Sequence, residues 1–265
     1  MKNNVDAEMR SGAADLTLTY DGNYKVTGTA DIQKLTVSGL TAGSFLANSI
    51  ETLNINSELV KSTLTGASSD ALKTVNVTGD KDLTITNALN WAATANGKVI
   101  DGTLDASTFT GKLSVGVGGT ASTVSVKGGT ADDTIKFADK LTTDDVVDGG
   151  AGTDTLTMTA VALDKQFTNV SNIETVAFTS DKSVAMDVSK LSAGVTTVEV
   201  DLVDSTAEDN AIDASTITNL GTQTVVVKHS VADNDGGNGA DDGAADGVKL
   251  TITPATDTSD DTVNV

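Results

Sequence analysis

The stretch GGAGTDTLT, Gly149 to Thr157, fits the nonapeptide G-G-x-G-x-D-x-U-x at every fixed place, U being apolar. Glycines accept positive φ and bring carbonyl oxygens into a concave turn, the aspartate adds a carboxylate, and the apolar residue starts a strand that fills an interior. That is the chemistry of a hard cation. Calcium takes about six to eight oxygens in irregular geometry, whereas magnesium demands a stricter octahedron and keeps its waters, so Ca2+ is the expected ion. A second copy, GGTADDTIK (Gly128 to Lys136), fits except that Ala131 replaces the third glycine. A third stretch, GGTASTVSV (Gly118 to Val126), has Thr123 where the aspartate belongs and reads as a half-coil without a carboxylate.

In a roll of nonapeptides, turns on the same side recur after two repeats, about eighteen residues. Gly128 and Gly149 are 21 apart, so their turns stack if the half-coil FADKLTTDDVV (Phe137 to Val147) holds three additional residues. One ion is then expected between the turns. Asp133 and Asp154 would be its carboxylate ligands, with Asp132 and Asp148 as additions and Gly128, Gly129, Thr130, Gly149, Gly150, Ala151 and Gly152 as the backbone cradle. Asp144 and Asp145, on the half-coil between, are secondary candidates. The acidic stretch ADNDGGNGADDGAADG (Ala232 to Gly247) lacks the nonapeptide register. It is either a further calcium site through Asp233, Asp235, Asp241 and Asp242 or a flexible loop. The plain alternative for all these glycines is a set of ordinary tight turns.

Such turns need strands to hold them, and the chain supplies a repeat. DIQKLTV (Asp31 to Val37), SIETLNI (Ser49 to Ile55), ALKTVNV (Ala71 to Val77), NIETVAF (Asn172 to Phe178), GVTTVEV (Gly194 to Val200) and GTQTVVV (Gly221 to Val227) share one template. A small or polar residue leads, usually followed by an apolar one; two mostly polar positions come next, and the fifth and seventh are apolar. The fifth and seventh share one side of a strand and the second does not, so the template describes a corner entering a short strand. Copies are 18 and 22 residues apart in the first group and 22 and 27 in the second, about one coil each. LDASTF (Leu104 to Phe109), MDVSKL (Met186 to Leu191) and IDASTI (Ile212 to Ile217) place an aspartate two residues before a serine. Those side chains bond nearby N–H groups, which predicts corner turns or single helical turns. No histidine or lysine recurs with them to make a catalytic set. His229 stands without a second histidine or any cysteine, and Trp91 reads as an apolar plug where a coil is interrupted, or as a platform for a sugar ring.

One coil cannot cover its own apolar strand, but stacked coils bury it and complete its hydrogen bonds. The expected fold is all-β, a parallel β-solenoid; a β-sandwich of irregular Greek keys is the alternative. Along 265 residues the organisation reads as Thr/Val-rich repeats over 1–110, the glycine-aspartate segment over 111–160, and a second repeat set over 161–265 carrying the acidic loop 232–247. With aromatics at 3%, one proline and no cysteine, the core must come from Val, Leu, Ile, Ala and threonine methyls, and thiolate or disulfide chemistry is excluded. Acidic residues outnumber basic ones 37 to 17, a formal charge of −20 that repels nucleic acid and anionic lipid. No apolar run is long enough for a membrane helix, and the first twenty residues hold no apolar signal core.

The residues DDTIKF, DDVVDGGAGTDTLTMT and FTNVSNIETVAFT, with the Thr/Val repeats around them, make the chain resemble RTX-type proteins. More narrowly, it resembles the calcium-dependent surface-layer proteins that Gram-negative bacteria export by type I secretion. The similarity spans Gly118 to Phe178, with Gly128, Gly129, Asp133, Gly149, Gly150, Gly152 and Asp154 at the family's turn positions and Ala131 departing from it. It implies a non-enzymatic structural protein outside the cell, self-assembling through homo-oligomeric contacts into a two-dimensional lattice. Cell-surface polysaccharide would be met through another region. A segment of an RTX adhesin that binds glycan or protein is the alternative. The end at DDTVNV suggests a fragment.

Overall fold

A computed structural model describes residues 6–10, 16–19, 30–91, 94–95, 98–99, 101–118, 123–159, 167–180, 185–204, 214–231 and 249–255. Short Thr/Val/Leu runs bounded by Gly, Asp and Ser form strands, and each pairs in parallel with a strand one coil away. The first sheet stacks Asp6–Arg10, Ile32–Ser38, Thr52–Ser57, Thr74–Gly79, Gly102–Asp105, Val124–Lys127, Val146–Asp148 and Val170–Ser171. The second stacks Ser62–Leu64, Leu83–Ile85, Leu113–Gly116, Thr134–Ala138, Thr155–Met158, Thr175–Ser180, Thr197–Asp204 and Thr224–Val231. The chain is an all-β parallel β-solenoid. A Greek-key sandwich requires antiparallel neighbours, and among the described residues only Thr94–Ala95 with Lys98–Val99 pairs that way.

A third face is described toward the two ends of the stack. Leu16–Thr19, Gly43–Leu46 and Gly66–Ser68 form it at one end, and Ala185–Asp187, Ala214–Leu220 and Lys249–Pro254 at the other. Between them, among the described residues, the coils that begin at Gly102, Val124 and Val146 have strands on the two main faces alone. Pairings such as Leu104 with Val126, Leu113 with Leu83, and Thr155 with Thr175 carry the sheets across residues 110 and 160.

Strand alternation turns every second residue inward. Leu53, Val75, Leu104, Val126 and Val147 make one inner column, and Leu64, Ile85, Val115, Ile135, Leu156, Val176 and Val198 face it from the second sheet, none more than 1% exposed. The outward neighbours form a second kind of column. Thr63, Thr84, Ser114, Thr134, Thr155, Thr175, Thr197 and Thr224 lie in register on successive strands of the second sheet. Thr52, Thr74, Thr103 and Ser125 do the same on the first. This is the fourth position of the repeat, where a β-branched residue suits the pleat and a hydroxyl meets water.

The register departs from the spacing of the repeat at one place. Asp31 and Ser49 head their copies 18 residues apart, yet the structure pairs Leu35 with Ile55 and Ile32 with Thr52, a shift of 20. The residue stacked on Asp31 is Glu51, whose N–H and that of Thr52 both reach the Asp31 carbonyl (3.2 and 3.0 Å). The corner, where backbone groups must be satisfied, sets the alignment, not the first residue of the motif. The next pairing, Leu53 with Val75, keeps the expected 22. In four copies the second position is buried although its parity is wrong for the strand, because Ile50, Leu72, Ile173 and Val195 lie before the corner and turn inward there; Ile32, already inside its strand, and Thr222 are exposed.

Two of the three aspartate–serine pairs form local turns; in the third, Ser215 to Ile217 belong to the strand Ala214–Leu220 and Asp213 lies outside the described residues. Asp105 accepts the Ser107 N–H at 3.0 Å, and Asp187 caps the single 3-10 turn Val188–Lys190 through the Ser189 N–H at 3.0 Å. Trp91 follows the Ser68–Asn90 bridge, where the first third face ends, and is 1% exposed with its Nε1 donating to the Val117 carbonyl at 2.8 Å. Gly102 lies against the indole so closely that a Cβ would fall 2.6 Å from Cδ2. The plug expectation holds, and burial leaves no ring face for a sugar. Trp91→Ala should therefore cost about 3–5 kcal/mol in equilibrium urea unfolding, with the Val117 carbonyl also losing its donor.

Candidate cation site

The two glycine turns stand on the same edge of the two-faced region, one above the other. Each links a first-sheet strand to a second-sheet strand: Val124–Lys127 to Thr134–Ala138, and Val146–Asp148 to Thr155–Met158. Gly128 N–H donates to the Asp148 carbonyl at 2.7 Å, Ala151 N–H to the Gly129 carbonyl at 3.0 Å, and Thr155 N–H to the Asp133 carbonyl at 2.8 Å. The approach leaves no space for side chains, since a Cβ on Gly128 would fall 1.9 Å from the Gly149 oxygen. Gly150 and Gly152 have φ of 99° and 129°, which a side chain would strain.

The aspartates of the two turns differ in what they meet. Asp133 is closed: Oδ1 accepts the Leu113 N–H at 2.8 Å and Oδ2 the Gly129 N–H at 2.6 Å. Asp154 accepts the Asp133 N–H on Oδ1 at 2.7 Å, but its Oδ2 is buried without a partner. In the second turn Gly150, at positive φ, directs its N–H to Asp148 Oδ1 (3.2 Å), whereas Gly129 in the first turn directs its N–H to the turn's own aspartate. Above them, Glu174 Oε2 accepts the Asp154 N–H at 2.7 Å. Asp133, Asp154 and Glu174 thus climb the edge as a series of acids, each carboxylate holding an N–H of the coil before it.

Electrostatics follow from that burial. Desolvation pushes the Asp133 carboxyl up, against the two N–H donors that favour its charge. Asp154 is pushed up to about 7, by burial first, with the nearby Asp133, Glu174 and Asp132 charges adding to it and the Asp133 N–H opposing. Asp132 is exposed and held below the usual carboxylate range by Lys112 Nζ at 2.8 Å and the Thr153 N–H at 3.0 Å.

The remaining expected residues separate into three groups. Asp148 sits beside the second turn, its Oδ1 shared by the Gly150 N–H and Asn172 Nδ2 (2.7 Å). Thr130 is exposed, its N–H on the Phe109 carbonyl at 3.0 Å. Asp144 and Asp145 lie on the opposite edge of the roll, between Ala138 and Val146. There Asp145 accepts the Val124 and Thr142 N–H groups at 2.7 Å each, and Asp144 faces solvent. Asp233, Asp235, Asp241 and Asp242 lie outside the described residues. Glu174 was not among the expected site residues; its one sequence signal is the third position of NIETVAF, matched by Glu51 of SIETLNI.

A calcium ion fits the two turns unequally. Both Asp133 oxygens face N–H donors, whose positive ends repel a cation, so the first turn is poorly suited. Asp154 Oδ2 is an orphaned, buried carboxyl oxygen, the kind of group a cation or a proton satisfies. Among the described residues no three His, Cys, Asp or Glu side chains converge on one point, so other oxygens would have to be turn carbonyls and water. No family model, no curated protein and no solved structure matches this chain.

The raised Asp154 carboxyl has a signed consequence. The folded state holds a proton there that the unfolded chain releases near the ordinary carboxyl value of 3.8, so this group's contribution is complete below about 4 and lost as pH rises through about 7. In chelator-containing buffer, Asp154→Asn should remove that fall. Melting curves of the variant and the parent should converge at acid pH and separate near neutrality, the variant being the more stable.

Proposed function

We propose that this chain is a non-enzymatic structural element of a bacterial surface layer, a calcium-stabilised β-solenoid that self-associates into a two-dimensional lattice outside the cell. The observation that carries the proposal is the stacked acidic edge with its orphaned Asp154 Oδ2, on a chain of net charge −20. Neutralising such a charge takes on the order of ten divalent ions. A site with a dissociation constant near 0.1 mM in about 1 mM calcium adds roughly 1.4 kcal/mol to folding, and several such sites add a large share of the chain's stability. In a compartment poor in calcium, the same chain would be less stable and easier to unfold for export. RTX-like turns, Thr/Val coils and the lack of cysteine support this reading.

An adhesin segment is the second reading, and one feature favours it. The outer side of the first sheet bears a cavity of about 630 Å³ lined by Lys34, Thr36, Asn54, Asn56, Asn76 and Thr78 among others, a hydrogen-bonding surface suited to hydroxyl-rich ligands. Binding of soluble oligosaccharides to a monomeric protein would support it.

Calcium titration of the chelator-stripped chain, followed by circular dichroism and light scattering, tests the main proposal. Calcium should raise the melting temperature of the β-structure and drive growth into sheets, and Asp154→Ala should raise the calcium concentration needed several-fold. Folding and particle size indifferent to calcium would overturn the reading.

A further inference from the structure

The Asp154 corner has a counterpart on the other face of the solenoid. The Asp154 carbonyl accepts the Glu174 and Thr175 N–H groups at 3.1 and 3.0 Å; the Asp31 carbonyl accepts those of Glu51 and Thr52 at 3.2 and 3.0 Å. Asp154 N–H donates to Glu174 Oε2 at 2.7 Å, and Asp31 N–H donates to Glu51 Oε2 at 2.8 Å. Both aspartates are 0% exposed. Each leaves carboxylate oxygen unpartnered, Oδ2 at Asp154 and both Oδ1 and Oδ2 at Asp31. In each stack the acids stop one coil later, where Lys73 and Thr196 take the corner with N–H bonds to the Glu51 and Glu174 carbonyls, both 2.9 Å. The Asp31–Glu51 pair leads into strands of the first sheet and the Asp154–Glu174 pair into strands of the second, so these are two separate places built alike.

A buried carboxylate with no donor on either oxygen is costly, and a second carboxylate, 8% exposed, against its own backbone adds to the cost. Something positive must offset it. No lysine or arginine among the described residues forms an ion pair with Asp31 or Glu51. A proton would neutralise one of the two charges. A divalent cation neutralises both and gives the two bare Asp31 oxygens a partner at once.

We propose that Asp31 and Glu51 form a second divalent-cation site, the structural twin of the Asp154–Glu174 corner. The site offers only oxygen, so calcium is the ion, its shell completed by backbone carbonyls and water. The proposal lies outside the glycine-aspartate turns and shares with the function proposed above only the identity of the ion.

Calorimetric titration of CaCl2 into the full, chelator-stripped chain tests it, with Asp31→Asn, Asp154→Asn and the double variant alongside. Asp31→Asn should bind one calcium fewer than the parent, Asp154→Asn should lose a different one, and the double variant should lose both. In chelator, Asp31→Asn should melt at or above the parent, because a buried charge has gone. An unchanged ion count in Asp31→Asn overturns the proposal while leaving calcium at Asp154 standing. A parent that binds no calcium and is instead stabilised by acid overturns both and assigns the neutralising role to a proton. If Asp31→Asn does not fold, Glu51→Gln replaces it. Failure of both to fold in calcium also overturns the proposal, since a pure cation site tolerates an amide of the same shape.

Discussion

Apart from Thr94–Ala95 and Lys98–Val99, the described strands have no partner close by in sequence, because their hydrogen bonds run to the coil before and the coil after. Thr134 meets Thr155 and Thr155 meets Thr175, 21 and 20 residues on, while Thr74 meets Thr103 only after 29. The corners carry the same constraint in sharper form, since the chain reverses there with its backbone groups out of water. One carbonyl taking two N–H groups from the coil above recurs at Asp31, Glu51, Asp154 and Glu174. Everything else in the solenoid, from core columns to the glycine edge, depends on these between-coil bonds.

Narrowness of the core follows from composition. Val, Ile and Leu from two faces fill most of the space between them, as at Val126 and Ile135, and the few phenylalanines, Phe109, Phe137 and Phe178 among them, are fully buried there. Where a third face closes and the cross-section changes, the chain uses its one tryptophan, with Gly102 giving the indole room. The outward threonine columns cost the core nothing: a β-branched residue at each rung favours the strand while its hydroxyl stays at the surface.

Buried acids in this fold act first as acceptors for coil-to-coil N–H groups. Asp133 and Asp145 are each fully engaged that way, which makes them staples between coils. Asp154 and Asp31 also hold the stack together through their backbone but retain oxygens with no donor. On the proposed reading a positive species sits at those points and links the stability of the solenoid to the solution around it. On the proposed reading that species is calcium, and the strong acidity of the chain makes sense as the counterpart of an extracellular cation supply.

Much of the local structure was legible in the residues. Alternation in TLNI and TVNV marks strands, the Asp–Ser spacing around Asp105 and Asp187 marks side-chain-capped turns, and the glycines at Gly150 and Gly152 mark positive φ. These are short-range facts, set by side-chain parity and turn chemistry within a few residues. The tertiary structure alone decided that Asp31 stacks on Glu51 two residues from where the repeat spacing puts it, that Glu174 joins the acidic edge, and that Asp145 works on the opposite one. It also decided that Asp133 is closed while Asp154 is open, although both occupy the same place in the nonapeptide. The physical reason is that a residue's neighbour in a solenoid lies a whole coil away. Coil length varies with insertions that leave the strand pattern untouched, so only the completed stack determines which N–H group each carboxylate meets.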